Sequence, residues 1–421
     1  MKASTRLQAI WPAHIPIDIA PITAGLDQVL QDAAARHPDK AAFLCQSRAM
    51  TFAQLDRKAG FIAGFLQQRG RIAQGDRVGL LLPDGPDFIA AFFGILRAGA
   101  IAVPFDPTAP ATTIAERIEQ TGLRVILAAA EQAADLLPLA DDLRLDRVIL
   151  APRSGAPSQD ARAPSAALTG WGEMLNAAID PEPVETRPED PCLLLYGPEQ
   201  SGPAMACLHT HRSALHAAAC LRHWLGAGDR DLCLSALPLS RPEGLLAGAI
   251  LPVVAGATGL LKPKGNSKRE GCKALDDVTI LTGCAATNAA LLDQTGDTGN
   301  LRRVWTFDGR AGLRSYGQAE TMGLVAAELD DNPALAGAGI PCQNTQILIV
   351  DPQTRRRAAQ GRAGEILIRG PQVMARYWND PRANTLRFRQ IGGLRYFRTG
   401  DLGLLAGDGR LHVTGRLEPR A

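Results

Sequence analysis

The stretch Asp76–Pro110, DRVGLLLPDGPDFIAAFFGILRAGAIAVPFDPTAP, holds a strand, a turn, a helix and a second strand in that order. Arg77–Leu82 runs into continuous apolar sequence, the pattern of a parallel strand covered on both faces. Pro83–Pro86 is the turn at its carboxyl end, Asp87–Ala98 the following helix and Ile101–Pro104 the next strand. The apolar run Phe88–Pro104 is broken by Arg97 and Gly99, too short and too interrupted to cross a bilayer. Downstream the alternation continues, with helix at Thr113–Gln120 and Glu131–Leu137 and strand at Val125–Ala128 and Val148–Leu150. Such alternation predicts an α/β, doubly wound sheet.

Upstream, residues 1–20 are Pro-rich and read as a surface strap. Within Gly25–His37, Leu26, Val29, Leu30 and Ala33 share one helical face. Lys40–Cys45 is a short strand, Gln46–Met50 a turn and returning strand. Thr51 then caps a helix through Gln67, with Gln54 as its capping-box partner. Ala151–Pro164 is a Pro/Ser/Ala-rich excursion. Beyond it come a helix (Arg212–Leu225), a strand (Leu232–Ala236), a turn (Pro238–Glu243), a buried helix (Gly244–Leu251), a strand (Val278–Leu281) and a helix (Ala285–Leu292). From Ile347 onward, short strands such as Gln346–Val350, Glu365–Arg369 and Arg410–Arg416 predict a small, barrel-like β-rich appendage.

A net charge of +2 predicts no pull toward nucleic acid or an anionic membrane. The basic clusters Arg355–Arg357 and Lys262–Arg269 read as solvated loops. Eight cysteines without CxxC or Cys/His metal spacing suit a reducing compartment. The N-terminus has no continuous apolar core after Lys2, so a cytoplasmic location is expected.

The candidate site begins at Leu193–His211, LLLYGPEQSGPAMACLHTH. A buried strand ends at Tyr196 and opens into a Gly/Pro-rich turn, the outline of a loop whose backbone N–H groups cradle phosphate. Gly197, Ser201 and Gly202 suit a cradle, but the loop holds no lysine. His209 and His211, two apart on a strand end, do not share a face, which argues against a two-ligand metal site.

Several segments together resemble the AMP-forming adenylating superfamily of acyl-CoA synthetases, peptide-synthetase adenylation domains and luciferases. They are Asp76–Pro110, Ser315–Gly323 (SYGQAETMG), Gly364–Trp378 (GEILIRGPQVMARYW), Tyr396–Gly403 (YFRTGDLG) and Gly415–Arg416, in the family's order along nearly the whole chain. The resemblance implies two stacked α/β subdomains, 1–190 and 191–340, and a smaller β-rich subdomain, 341–421, ending at a hinge. It also implies ATP-dependent activation of a carboxylic acid, with transfer of the acyl group to CoA or a carrier phosphopantetheine.

In that scheme Asp401 accepts from the ribose hydroxyls, a charge-assisted contact. Arg416 donates to ribose or phosphate from the hinge side. Tyr316 stacks on adenine, Gly317 lies beside it, and Tyr196, Ser201 and Gly202 belong to the phosphate loop. Glu320 is the catalytic carboxylate that holds Mg²⁺, a hard cation that needs oxygen ligands. The histidine-containing corner is structural in the family, and the same is expected here.

The sequence also departs from the family. Pro198 removes a backbone donor, Glu199 adds negative charge beside the expected phosphates, and Met205 stands in the lysine position. Repulsion at a few ångströms amounts to about 1–4 kcal/mol at effective dielectrics of about 80 to 20. Ser240 and Arg241 replace an aromatic and a histidine, and Ala319 replaces a threonine. The interval before Tyr316 is short, so a strand and a Gly/Ala-rich pocket wall are expected to be missing. Pro419 stands in place of an acidic hinge residue, and a C-terminal lid domain with its lysine is not expected after Ala421.

Two functions remain in view. One is an acyl-CoA synthetase-like ligase with impaired autonomous activity. The other is a non-catalytic relative that binds an acyl thioester, an acyl-carrier protein or a synthetase partner.

Overall fold

The structure, a computed structural model, describes residues 10–45, 48–151, 168–197, 205–261, 276–293, 299–307, 313–328 and 339–417. Most of the predicted excursion at Ala151–Pro164, the cluster Lys262–Arg269, Pro419 and Ala421 lie outside the described residues, as does the loop interior Pro198–Ala204 with Glu199, Ser201 and Gly202.

The stretch Asp76–Pro110 forms strand Arg77–Leu81, helix Pro86–Arg97 and strand Ile101–Pro104. The helix is apolar nearly all round and is buried from Phe88 to Leu96, as a helix inside a layered core must be. Its two strands pair in parallel at the centre of an eight-stranded sheet. The order there is Arg376–Tyr377, Ala206–Thr210, Pro191–Tyr196, Ile101–Pro104, Arg77–Leu81, Val125–Ala129, Arg147–Ala151 and Leu168–Gly170.

A nine-stranded sheet takes Leu232–Ser235, Thr258–Leu261, Ile280–Gly283, Arg303–Thr306 and Leu313–Tyr316, among others, and closes on the hairpin Ala41–Cys45/Arg48–Thr51. Sheet membership therefore crosses the linear division expected at residue 190. Strands Ala41–Cys45 and Arg48–Thr51 belong to the second sheet, and Pro191–Tyr196 and Ala206–Thr210 to the first.

Local chemistry follows the sequence closely at helix Phe52–Gln68. Its N-cap Thr51 accepts from the Gln54 N–H at 3.2 Å while the Thr51 N–H donates to Gln54 Oε1 at 3.0 Å. The predicted helix at Gly244–Leu251 is more complex: Pro242–Leu245 and Leu251–Ala255 are α-helical, with a π turn at Leu246–Ile250 between them. The strand expected to carry both histidines is Ala206–Thr210, which holds His209, whereas His211 is the first residue of helix His211–Leu225, capped by Thr210.

The nine-stranded sheet is continuous where a missing strand was expected. Arg303–Thr306 and Leu313–Tyr316 pair in parallel, Trp305 opposite Leu313. Only residues 307–312 join them, where a parallel crossover takes about a dozen or more. The short interval therefore removes chain between these strands, not a place in the sheet.

The third sheet is antiparallel, running Gln346–Val350, Gly364–Arg369, Leu394–Leu405 and Phe388–Ile391, with Leu411–Arg416 paired to the long strand. Its inner face (Ile349, Ile366, Ile368) packs with Val325, Ala326, Leu411 and the half-buried Tyr316. A small core of Cys207, Ala319, Met374, Tyr377 and Phe397 fastens all three sheets together. No helix among the described residues is long and apolar enough to cross a membrane.

Candidate nucleotide site

Strand Pro191–Tyr196 pairs antiparallel with Ala206–Thr210, Tyr196 opposite Ala206, so the expected phosphate loop closes a hairpin. Gly197, its first residue, stands against Ala319: a Cβ built there would lie 3.5 Å from the Ala319 Cβ. The Tyr196 side chain turns the other way. Its hydroxyl donates to Gln120 Oε1 at 3.0 Å, and the Arg117 guanidinium lies 4.4 Å over its ring. Tyr196 thus brings only its backbone to the loop, and burial raises its phenol pKa.

The motif Ser315–Gly323 makes a tight turn. Tyr316 ends its strand, and Gln318 caps the short 3-10 turn Ala319–Thr321 through N–H donation to Thr321 Oγ1 at 3.0 Å. Gly317 is required by close approach: a Cβ there would sit 2.0 Å from the Gly323 carbonyl carbon. Gly323 itself has φ +76°, in the left-handed region.

This turn presents Tyr316 and Gln318 to Asp401 on the third sheet. The Tyr316 hydroxyl donates to Asp401 Oδ2 at 2.7 Å and the Gln318 amide donates to the same oxygen at 2.5 Å. Thr399 Oγ1 accepts from the Asp401 N–H at 3.0 Å. Burial, then the Asp401 charge, hold the Tyr316 hydroxyl well above the ordinary phenol range. Asp401 Oδ1 has no hydrogen-bond partner among the described residues.

Glu320 has a parallel arrangement. Its Oε1 accepts from the Tyr377 hydroxyl at 2.5 Å, and its carbonyl accepts from the Met374 N–H at 2.8 Å. Oε2 has no partner among the described residues. Tyr377 is fully buried, and burial together with the Glu320 charge raises its pKa far beyond the usual phenol value. Among the described residues each carboxylate is thus fixed by one oxygen and open at the other.

That donor set fits a nucleotide and a magnesium ion in reduced form: one free carboxylate oxygen for a ribose hydroxyl and one for a hard cation. No group of three or more His, Cys, Asp or Glu side chains among the described residues could hold a metal by itself. Any bound cation would need phosphate and water oxygens as well.

Arg416 lies directly opposite Asp401 in the strand register, with its side chain exposed. The motifs do not single out Gln318, Tyr377, Thr399 or Arg387, yet these position the carboxylates. Arg387 donates to the Thr399 carbonyl at 3.3 Å and lies against Gly400. Tyr377 was visible inside GEILIRGPQVMARYW, but nothing in the sequence tied it to Glu320.

The two histidines are structural. His209 is wholly buried, with Nε2 2.8 Å from the Ala319 carbonyl and Nδ1 3.2 Å from Ser213 Oγ. It thereby anchors the turn that carries Glu320. His211 Nδ1 accepts from the Leu26 N–H at 3.0 Å. Burial lowers both imidazoles to about 4.

On the substrate side, Leu239 N–H donates to Asp84 Oδ1 at 3.0 Å, tying LPLSRPEGL to the turn after Arg77–Leu81. Ser240 Oγ is buried without a partner among the described residues, and Arg241 is exposed. Burial raises the Glu243 carboxyl, which packs against Gly323.

A family model described as AMP-binding enzyme matches residues 30–378. The chain belongs to the AMP-binding enzyme family. Among its relatives, the long-chain-fatty-acid–CoA ligase of Salmonella typhimurium is 27% identical over 454 aligned residues, covering 96% of this chain and 79% of the relative. Among solved structures, the long-chain-fatty-acid-CoA ligase FadD1 of Archaeoglobus fulgidus superposes with TM-score 0.83 at 18% identity, covering 97% and 87% of the two chains. The anthranilate CoA ligase AuaEII, solved with anthranoyl-AMP, superposes with TM-score 0.81 at 21% identity, covering 99% and 80%. At these identities the structural likeness speaks for the fold. Within the family, this chain is acyl-CoA ligase-like in sequence and α/β in architecture, with parallel sheets and a curled antiparallel one.

Proposed function

We propose that the chain binds an adenine nucleotide between the Tyr316–Glu320 turn and Asp401, and that it is built for AMP-forming activation of a carboxylic acid. The observation that carries this reading is the pair of half-engaged carboxylates: Asp401 held by Tyr316 and Gln318, Glu320 held by Tyr377, each with one oxygen unclaimed. In this reading Asp401 Oδ1 takes a ribose hydroxyl and Arg416 adds donors from the neighbouring strand. Gly317 lets the backbone approach the base. Glu320 Oε2 takes the Mg²⁺ of ATP, and Ser201 and Gly202, outside the described residues, are its phosphate-loop candidates by sequence. Transfer to CoA or a phosphopantetheine thiol would follow in a complete cycle. A β-rich unit at 341–421 and a cytoplasmic setting belong to the same proposal, whereas the two α/β units exchange strands across residue 190.

Autonomous catalysis is impaired in this reading, because Glu199 and the missing lysine both disfavour the triphosphate tail. AMP should therefore bind better relative to ATP than a lysine-bearing loop would allow. Calorimetry with AMP and with ATP·Mg²⁺, followed by pyrophosphate exchange over a panel of acids, tests this. Nucleotide binding without exchange supports the reading. Absence of both AMP and ATP binding rejects it and favours a non-catalytic subunit for an acyl carrier or synthetase partner. That second reading rests on the departures at Pro198, Glu199, Met205, Ser240 and Arg241.

A further inference from the structure

The near-neutral total conceals a division of charge. Residues 341–417 carry thirteen arginines, no lysine and five carboxylates, a net of +8. The rest of the chain holds thirty-two basic and thirty-eight acidic residues, a net of −6. The expectation that charge exerts no pull on anionic surfaces treated the chain as one body, and the fold does not.

The excess is also oriented. In the third sheet Gln346 pairs with Arg369, and Arg389 with Tyr396, so these side chains share the face turned away from Tyr316. The hairpin after Val350 continues along the edge of this sheet, with Arg357 opposite Val350 and so on the same outward face, and Arg355, Arg356 and Arg357 are all exposed. Arg389 donates to the Arg355 carbonyl at 2.8 Å, bringing loop and sheet together. None of Arg355, Arg356, Arg357, Arg369 and Arg389 has an ion-pair partner among the described residues, whereas Arg398 is matched to Glu365. Asp351, the carboxylate at the start of that hairpin, accepts from the Gln353 and Thr354 N–H groups.

Exposed leucines stand among these arginines. Leu386 is 55% exposed and lines a depression of about 250 Å³ with Arg355, Arg389 and Arg398. Leu394, 39% exposed, follows Gly392–Gly393 at the end of the hairpin that leads into the long strand.

We propose that this face is a docking surface for an anionic lipid bilayer, with the arginines on the headgroups and Leu386 and Leu394 entering the interfacial layer. Unpaired cations beside projecting aliphatic side chains are what peripheral attachment uses. A protein partner would want an apolar centre. Here the central apolar residues, Val350, Leu367 and Tyr396, are already buried in a cluster of their own. Single-stranded nucleic acid would want aromatic stacking platforms, and Tyr396 is buried.

The inference does not depend on the nucleotide site, and AMP binding should be unchanged in the variants below. Co-sedimentation of the full chain with phosphatidylcholine/phosphatidylglycerol vesicles tests it, with pure phosphatidylcholine as control. Binding should appear only with the anionic lipid and fall as salt rises, because the attraction acts over a Debye length of about 10 Å at 0.1 M.

The variant R355S/R356S/R357S should partition about a hundredfold more weakly, at about fivefold per arginine. L386S/L394S should weaken binding by about tenfold or more while leaving its salt dependence in place. Circular dichroism confirms that both variants are folded, and R369S/R389S replaces the triple variant if it is not. Equal binding to neutral vesicles, no binding at all, or an unaffected arginine variant overturns the proposal. So does preference for short duplex DNA or for an acidic protein over the vesicles.

Discussion

Asp401 and Glu320 each use one oxygen to hold the fold, and in the proposed function the other takes the ligand, so structure and binding are separable by substitution. Asp401→Asn keeps the shape but loses the charge that strengthens a ribose contact. Nucleotide affinity should fall by about 1.5–3 kcal/mol, the range for hydrogen bonds to charged groups, measured by calorimetry with AMP. Tyr316→Phe removes only the donor to Asp401 Oδ2. It should cost about 1.5–3 kcal/mol in urea denaturation, because the acceptor is a carboxylate.

The histidines set a pH dependence. His209 and His211 have folded pKa values of about 4 against the ordinary 6.5, so the unfolded chain binds more protons between those values. Stability from this source is complete above the unfolded value and is lost as pH falls from 6.5 toward 4, on the order of 3 kcal/mol per histidine. Urea midpoints measured from neutral pH down through this window should decline, and His209→Gln should flatten the decline.

At the scale of elements, the Ser315–Gly323 turn is the most constrained piece of the site. Gly317→Ala forces a Cβ onto the backbone of Gly323, where no flexible side chain can give way. It should abolish AMP binding and lower stability by several kcal/mol, beyond the range of ordinary surface changes. Helix Phe52–Gln68 offers a contrast. Thr51→Ala removes half of a capping box remote from the site. It should cost about 1 kcal/mol in stability with no change in nucleotide affinity. The capping box was legible from Thr51 and Gln54 alone because both partners lie within one turn. The partner of Glu320 was not, since Tyr377 lies on a strand paired to Cys207.

Across the whole molecule, the cluster of Cys207, Ala319, Met374, Tyr377 and Phe397 joins the three sheets beneath the site. Phe397→Ala should destabilise the chain by about 3–5 kcal/mol, as large-to-small changes in a packed core do. It should also weaken AMP binding, because the turn bearing Glu320 and the strand bearing Asp401 meet there. Urea melts combined with AMP titration of the same preparation check both effects. The alternation through Asp76–Pro110, the capped helix and the β-rich end follow from the sequence, which also displays the motifs that carry Tyr316, Glu320 and Asp401. Strand and helix periods, caps and glycines act between near neighbours in the chain. Only tertiary structure decided that Tyr196 faces Arg117 and not the loop, that Asp401 and Glu320 each keep one oxygen without a partner among the described residues, and that Arg355, Arg357, Arg369 and Arg389 come together at one outward face. These depend on which side of a sheet is covered, and that is settled by contacts between residues tens to hundreds of positions apart.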